Sequence, residues 1–253
     1  MKTQGLSQKE LLDLDEQCTR QTRELEQQQE QVRAHLRPPG AQLAPMVGPD
    51  GAAQVWKPPG VRILHIYGLM RPTTALADLE TATRDLAGNL MAPVPRQWQH
   101  WTGARIEDAT TAEAKTIATA LAAHLNDHPA PQATGARRWG FAAQAALHRH
   151  GILITPTGDA PPVTTLMQAA AAAMRSVDPD ARRTRTPRHA HSSLSYNTPA
   201  VSALSRREVA DLSDRFGIRH VDIELEAVAV VWAKQHPAGP QYTWDVDTLI
   251  PLS

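Results

Sequence analysis

The chain has 253 residues, enough for one large domain or two small ones, and its 42% hydrophobic and 21% charged content is typical of a globular protein. Basic and acidic residues number 26 each, so nothing in the overall charge attracts a long polyanion, which argues against a duplex-DNA binder. The single cysteine, Cys18, excludes an internal disulfide framework and a multi-cysteine zinc site. No apolar run approaches the ~18 residues of a membrane span, and the polar N-terminus lacks the apolar core of a secretory signal. We therefore expect a cytoplasmic protein with no membrane partner.

A charged segment rich in Glu and Gln opens the chain, and its composition predicts a helix within residues 1–37. Ser7 and Glu10 have the spacing of a capping box at its start. Apolar residues recur every seven positions, but the second heptad position is mostly polar, which weakens a coiled-coil seam. Two interpretations stay open: a solvated helix that packs one stripe on its own domain or on a protein partner, and a self-associating coiled coil.

Residues 38–60 contain six prolines and four glycines, a density that rules out a regular helix and indicates a linker or an irregular wrap. The main domain is therefore expected to span residues 61–253. Its predicted strands lie at 61–70, 98–106, 148–155, 188–196, 220–232 and 242–252. Its predicted helices lie at 73–86, 110–125, 162–177 and 206–216. This order predicts an α+β domain with a mixed or antiparallel sheet and helices outside.

Two of the predicted strands carry the same pair of side chains. His100 and Thr102 are two residues apart, and so are His191 and Ser193, which follow 91 positions later. Residues two apart on a strand share a face, so each pair presents an imidazole beside a hydroxyl. Two histidines on opposite sides of a phosphate can act as base and acid, and hydroxyls can bind its non-bridging oxygens. The pattern predicts two half-sites that face one cleft.

An arginine-rich segment leads into the second of these strands. Arg183, Arg185 and Arg188 have two open interpretations: bidentate contacts to substrate phosphates, or a solvated flexible loop. Tyr196 has the opposite parity from the histidine and serine of its strand. A regular strand would therefore turn Tyr196 away from the cleft, where it would support packing behind the site.

Other histidines are candidates for metal ligands. His189 lies two residues before His191, and His148 two before His150, but no third ligand with convincing spacing follows either pair. His65 lies inside a predicted buried strand and is interpreted as a core or cleft-edge residue. No glycine-rich phosphate loop occurs, which argues against ATP-driven chemistry. We expect no metal and no cofactor.

The paired motifs resemble those of the 2H phosphoesterase superfamily, in particular its 2'-5' RNA ligase-like branch. The second copy, from His191 to Tyr196, is similar to the His-x-Ser-Leu-x-Tyr form common in actinobacterial members. The ending from Tyr242 to Leu252 resembles their closing strand. The likeness covers about 61–253, and Gly103 departs from it, because the family usually has an apolar residue there.

The resemblance implies a two-lobed fold whose sheets flank a central cleft. The catalytic residues are then expected to be His100, Thr102, His191 and Ser193. The residues expected to contact the substrate are Arg183, Arg185, Arg188 and Tyr196. The implied activity is metal-independent hydrolysis of 2',3'-cyclic phosphodiesters in RNA ends or small cyclic nucleotides, or reversible 2'-5' RNA ligation. The alternative is a catalytically degenerate nucleotide- or RNA-binding module of the same fold, whose N-terminal helix recruits a partner.

Overall fold

The computed structural model describes Leu43 and residues 62–128, 139–187, 189–236 and 241–252. The predicted N-terminal helix and Arg188 lie outside the described residues, as does the proline- and glycine-rich segment apart from Leu43. Leu43 is half-buried and packs against the hydrophobic core of the main domain. The core therefore extends to a residue that precedes the predicted domain start at 61. Within the described ranges, no helix is both long and apolar enough to cross a bilayer.

The described ranges contain ten strands and four helices. The strands are β1 (Arg62–Met70), β2 (Met91–Pro93), β3 (His100–Ile106), β4 (Gly140–His148), β5 (Gly151–Pro156), β6 (Thr184–Arg185), β7 (Ser192–Ser193), β8 (Ser195–Asn197), β9 (Arg219–His236) and β10 (Gln241–Pro251). The helices are α1 (Thr74–Ala87), α2 (Thr111–Asp127), α3 (Pro161–Arg175) and α4 (Arg206–Phe216). The helix bounds lie within about two residues of those predicted from the sequence.

Side-chain caps explain why the helices begin where they do. The Thr73 hydroxyl accepts from the backbone N–H of Leu76 at the start of α1. Thr110 with Glu113 forms a capping box at the start of α2, and Ser205 with Glu208 forms one at the start of α4. Each cap satisfies N–H groups that the first helical turn leaves without partners.

The strands build one long sheet in the order β6-β3-β1-β9-β4-β5-β7, with β10 also paired to β9, and β2 and β8 form a separate ribbon. Every strand pairing within the described residues is antiparallel. The long strand β9 pairs with β4 over 219–224 and with β1 over 225–234, so it belongs to both halves of the sheet. Although β3 and β7 lie far apart in the strand order, they contact each other. The sheet therefore brings the two motif strands together.

The two faces of the sheet have different surroundings. On β1, Leu64 and Ile66 belong to the main core, which includes the apolar faces of α2 and α3. The next residue, Tyr67, belongs to a smaller cluster with residues of β9 and with Trp244 of β10. We call the face that carries Tyr67 the cleft face, because the first motif lies on it, as described below.

The structure corrects the prediction between residues 139 and 156. The predicted strand at 148–155 begins too early, and the strand β4 before it was not predicted. The β4 sequence is rich in alanine, which has little preference for strands, but β4 lies between β9 and β5, and this tertiary pairing decides its conformation. The turn into β5 requires glycine: Gly151 has φ 153°, and a Cβ there would overlap the backbone carbonyl of Ser195.

Candidate active site

The two histidines of the motifs are held in the same way. Nδ1 of His100 lies 2.9 Å from the carbonyl oxygen of Trp98, and Nδ1 of His191 lies 3.0 Å from that of His189. A carbonyl can only accept, so each ring carries its proton on Nδ1 in the neutral form. In both rings Nε2 is then the nitrogen available to a substrate.

The environments of the two imidazoles differ. Burial is the main cause that lowers the pKa of His100 to about 4; the Trp98 carbonyl opposes this shift, and the nearby His191 adds a smaller lowering contribution to it. His191 is exposed. This interaction, together with the contact between β3 and β7, indicates that the two rings lie near each other. His100 is neutral at pH 7.

Aromatic side chains surround the His100 ring and account for its desolvation. Tyr67 stacks on it with ring centroids 3.7 Å apart, and Trp244 meets it edge-on at 5.0 Å. The centroid of the Tyr242 ring lies 6.3 Å from that of His100, and Trp98 packs against Trp244 with ring centroids 4.8 Å apart. None of these aromatic residues was predicted as part of the site, because they come from β1, β10 and the turn before β3, which only the fold brings together.

The second motif strand is interrupted at Leu194, between β7 and β8. The backbone N–H of Leu194 donates to the carbonyl of Ile152, and its own carbonyl accepts from Val94. Beyond this break the side-chain parity changes, and the Tyr196 hydroxyl forms a hydrogen bond with that of Ser193. The prediction that Tyr196 faces away from Ser193 is therefore wrong. The alternation rule holds only for an uninterrupted strand.

The first motif strand contains a bulge at Gly103. Tyr67 pairs with Thr102, whereas the preceding Ile66 pairs with Ala104. Gly103 is therefore an extra residue of β3 that has no pairing partner on β1. Gly103 packs on α3 so closely that a Cβ would lie 2.8 Å from the Cβ of Ala170. Glycine thus permits two consecutive residues of β3 to face the helix.

The bulge changes which side chains of β3 share the cleft face. His100 pairs with Leu69, Thr102 with Tyr67, and Arg105 with His65. Directly paired residues of antiparallel strands share a face, so Arg105 joins His100 and Thr102 although its sequence parity is opposite. Sequence reasoning missed Arg105. The glycine inside the strand pattern was the one signal of a bulge.

The arginine-rich segment forms an ordered turn in its described part. Asp178 accepts hydrogen bonds from the backbone N–H groups of Arg182, Arg183 and Thr184, at 3.1, 3.0 and 2.8 Å, and from the Thr184 hydroxyl. The guanidinium of Arg183 donates to Glu113 at 2.6 Å, which ties the turn to the start of α2. The structure thus gives Arg183 an intramolecular partner.

Arg185 lies on β6 directly opposite Arg105 and shares its face. Its guanidinium donates to the backbone carbonyls of Arg182 and Thr184. Among the described residues, no group of three or more His, Cys, Asp or Glu side chains could hold a metal ion.

No protein-family model and no curated protein matches the chain. Among solved structures, TT0787 of Thermus thermophilus matches with a TM-score of 0.50 and 16% identity over 76% of this chain and 97% of that one. The chain has the 2H phosphoesterase fold. Escherichia coli LigT in complex with 3'-AMP (TM-score 0.47, 9% identity, 76% and 99% covered) and a phosphoesterase (TM-score 0.46, 12% identity, 76% and 99% covered) are further matches.

This 2H phosphoesterase fold confirms the predicted α+β architecture with helices outside the sheet. The sheet pairings narrow the expected mixed or antiparallel arrangement to an antiparallel one within the described residues.

The close contact between Gly103 and Ala170 can be tested by mutation. We expect Gly103→Ala to lower the free energy of unfolding by about 1–3 kcal/mol, because the added methyl overpacks a contact between two backbone-fixed positions. Ala170→Gly alone should cost about 1 kcal/mol of helix propensity. The double variant should be less destabilised than the sum of the two single variants, as measured by urea unfolding.

Gly68→Ala is the matched control on β1, where a Cβ would meet mainly the ends of the flexible side chains of Leu166 and Leu225. It should cost less than Gly103→Ala. Additive effects of the Gly103 and Ala170 changes would show that the bulge does not depend on this contact.

Proposed function

We propose that the chain is a metal-independent phosphoesterase that hydrolyses 2',3'-cyclic phosphodiesters in RNA ends or small cyclic nucleotides. The observation that carries this proposal is a pair of nearby histidines, each anchored through Nδ1 to a backbone carbonyl and each followed two residues later by a hydroxyl residue. This is the arrangement that metal-free phosphodiester cleavage requires: a base, an acid and donors to the phosphoryl oxygens.

The unequal environments of the two histidines support a division of roles between them. His100 is neutral at pH 7 and has an unprotonated Nε2, so it acts as the general base and takes a proton from the attacking water. His191, exposed at the other side, acts as the general acid and gives the Nε2 proton to the ribose oxygen that leaves phosphorus. One water is consumed, one P–O bond forms and one breaks, and the product is a nucleoside monophosphate with a free neighbouring hydroxyl.

Thr102 and Ser193 supply hydroxyl donors to the non-bridging oxygens, where negative charge develops in the transition state. Tyr196 is a positioning residue, because its hydrogen bond to Ser193 orients that hydroxyl. The reverse ligation uses the same groups, with a ribose hydroxyl in place of water.

Substitution of the motif residues tests these roles. His100→Ala and His191→Ala are each expected to lower kcat/KM for adenosine 2',3'-cyclic phosphate by about 10²–10⁴-fold, and the double variant should lose little more, because the two act as a unit. Thr102→Ala and Ser193→Ala should each cost on the order of 10²–10³-fold. The exposed His220→Ala on β9 is the matched histidine control.

An unchanged rate in both histidine variants would contradict the proposal. A folded wild-type chain that binds the cyclic nucleotide without converting it would instead support the degenerate binding module.

The pH dependence tests which histidine is the base. The pKa of His100 is lowered to about 4, so His100 is unprotonated above that pH. kcat/KM should therefore rise with pH through about 4, well below the usual histidine range. Because the unfolded chain binds this proton from about pH 6.5 downward, stability also falls between pH 6.5 and 4, and circular dichroism must show that the chain is folded at each pH.

A chelator should leave the profile unchanged. An acidic limb at or above pH 6.5, or inhibition by chelator that added zinc restores, would contradict the assignment.

A further inference from the structure

We propose that Arg105, with His65 and Tyr67, forms an anion subsite beside the catalytic histidines, and that this subsite binds a second phosphate of the substrate. The proposal rests on the proposed function and narrows its substrate to nucleotides that carry a 5'-phosphate in addition to the cyclic one, as the terminal nucleotide of an RNA does.

The backbone geometry places Arg105 at this position. The bulge at Gly103 turns Arg105 to the cleft face, where it pairs directly with His65. Arg105 is half-buried, and it has no ion pair with a carboxylate in the part of the chain that the structure describes. Arginine binds phosphate through paired N–H donors, and a partly desolvated guanidinium without a counterion is a site of this kind.

Two buried polar side chains next to Arg105 supply an independent observation. His65 is 4% exposed and Tyr67 is fully buried, yet neither ring nitrogen of His65 nor the Tyr67 hydroxyl has a hydrogen-bond partner among the described residues. The charge of Arg105 acts on both groups, so they lie close to it. Leaving a buried donor or acceptor without a partner costs about 1–3 kcal/mol. Phosphate oxygens would accept from the Tyr67 hydroxyl and from one N–H of neutral His65, and would neutralise Arg105.

A like-charge pair points in the same direction. Arg105 and Arg185 are directly opposite on neighbouring strands, an arrangement that destabilises a sheet when nothing separates the charges. An anion bound at Arg105 reduces this repulsion. Arg185 is exposed and donates to the backbone of its own turn, so its contribution is smaller.

The spacing of the strand pairs indicates which phosphate binds there. Thr102 pairs with Tyr67, and Arg105 pairs with His65. The subsite therefore lies two residues along β1 from the first motif, a distance of about 6.7 Å. Consecutive phosphates of a nucleotide chain are separated by a similar distance. The cyclic phosphate at the histidines therefore places the 5'-phosphate of the same nucleotide at Arg105.

Two substrates that differ only in this group test the proposal. kcat/KM is measured for 5'-phosphoadenosine 2',3'-cyclic phosphate and for adenosine 2',3'-cyclic phosphate, and their ratio is the 5'-phosphate preference. We expect the full chain to prefer the 5'-phosphorylated substrate, and Arg105→Met to reduce the preference by about 10–100-fold, the loss of charge-assisted hydrogen bonds. Arg182→Met is the matched control, because Arg182 lies on the arginine-rich turn with its side chain 82% exposed and paired with Asp180. It should leave the preference unchanged.

Tyr67→Phe is the second variant, and it removes only a hydroxyl that has no partner in the described structure. It should keep the free energy of unfolding at or above that of the unchanged chain and still lower the preference by about 3–10-fold. Calorimetric binding of adenosine 2',5'-bisphosphate against adenosine 2'-monophosphate gives the same comparison without turnover. The bisphosphate should bind more tightly, and Arg105→Met should remove the difference.

The outcomes separate the two proposals. Turnover without a 5'-phosphate preference, or an equal loss on both substrates in Arg105→Met, overturns the subsite and leaves the hydrolase. Tighter bisphosphate binding that depends on Arg105, without any turnover, supports the subsite and overturns the reaction. Equal binding of the two adenosine phosphates overturns the subsite whatever the turnover.

Discussion

The close packing of Gly103 on Ala170 determines how the first motif strand presents its side chains. With no Cβ at Gly103, β3 approaches α3 and places two consecutive residues against the helix. The residues before the bulge, His100 and Thr102, and the residue after it, Arg105, then share the cleft face. One glycine thus sets which side chains of β3 share the cleft face.

A second constraint is the unequal solvation of two chemically identical groups. Both imidazoles are fixed by the same contact, from Nδ1 to the carbonyl two residues earlier. Tyr67 and Trp244 desolvate His100, whereas His191 is exposed. Burial disfavours the charged form, so two motifs of the same pattern hold their imidazoles in unlike environments, and the proposed roles of base and acid rest on this difference. The anion subsite at Arg105 lies on the neutral side of this pair.

Much of this architecture could be predicted from local sequence rules. The helix bounds could be predicted to within about two residues, and the shared face of His100 and Thr102 followed from the two-residue strand period. The strand β4 could not be predicted, because its alanines carry no strand preference and its neighbours β9 and β5 decide its conformation.

The same limit applied to the residues of the site. Tyr196 was expected to face away from the cleft, and Arg105 was not predicted as a site residue. The alternation rule assumes an unbroken strand, but Arg105 follows the bulge at Gly103 and Tyr196 follows the break at Leu194. The aromatic wall around His100 depends on contacts between β1 and β10, which are distant in sequence.

A crystal structure of the chain with adenosine and vanadate tests whether the two motifs act on one phosphate, because vanadate with a nucleoside mimics the five-coordinate phosphorus of the transition state. We expect one vanadium centre between the two motifs, with Nε2 of His100 and Nε2 of His191 each within hydrogen-bond distance of an opposite apical oxygen. The hydroxyls of Thr102 and Ser193 should lie on the equatorial oxygens. A vanadate bound away from this cleft, or reached by only one of the two imidazoles, would contradict it.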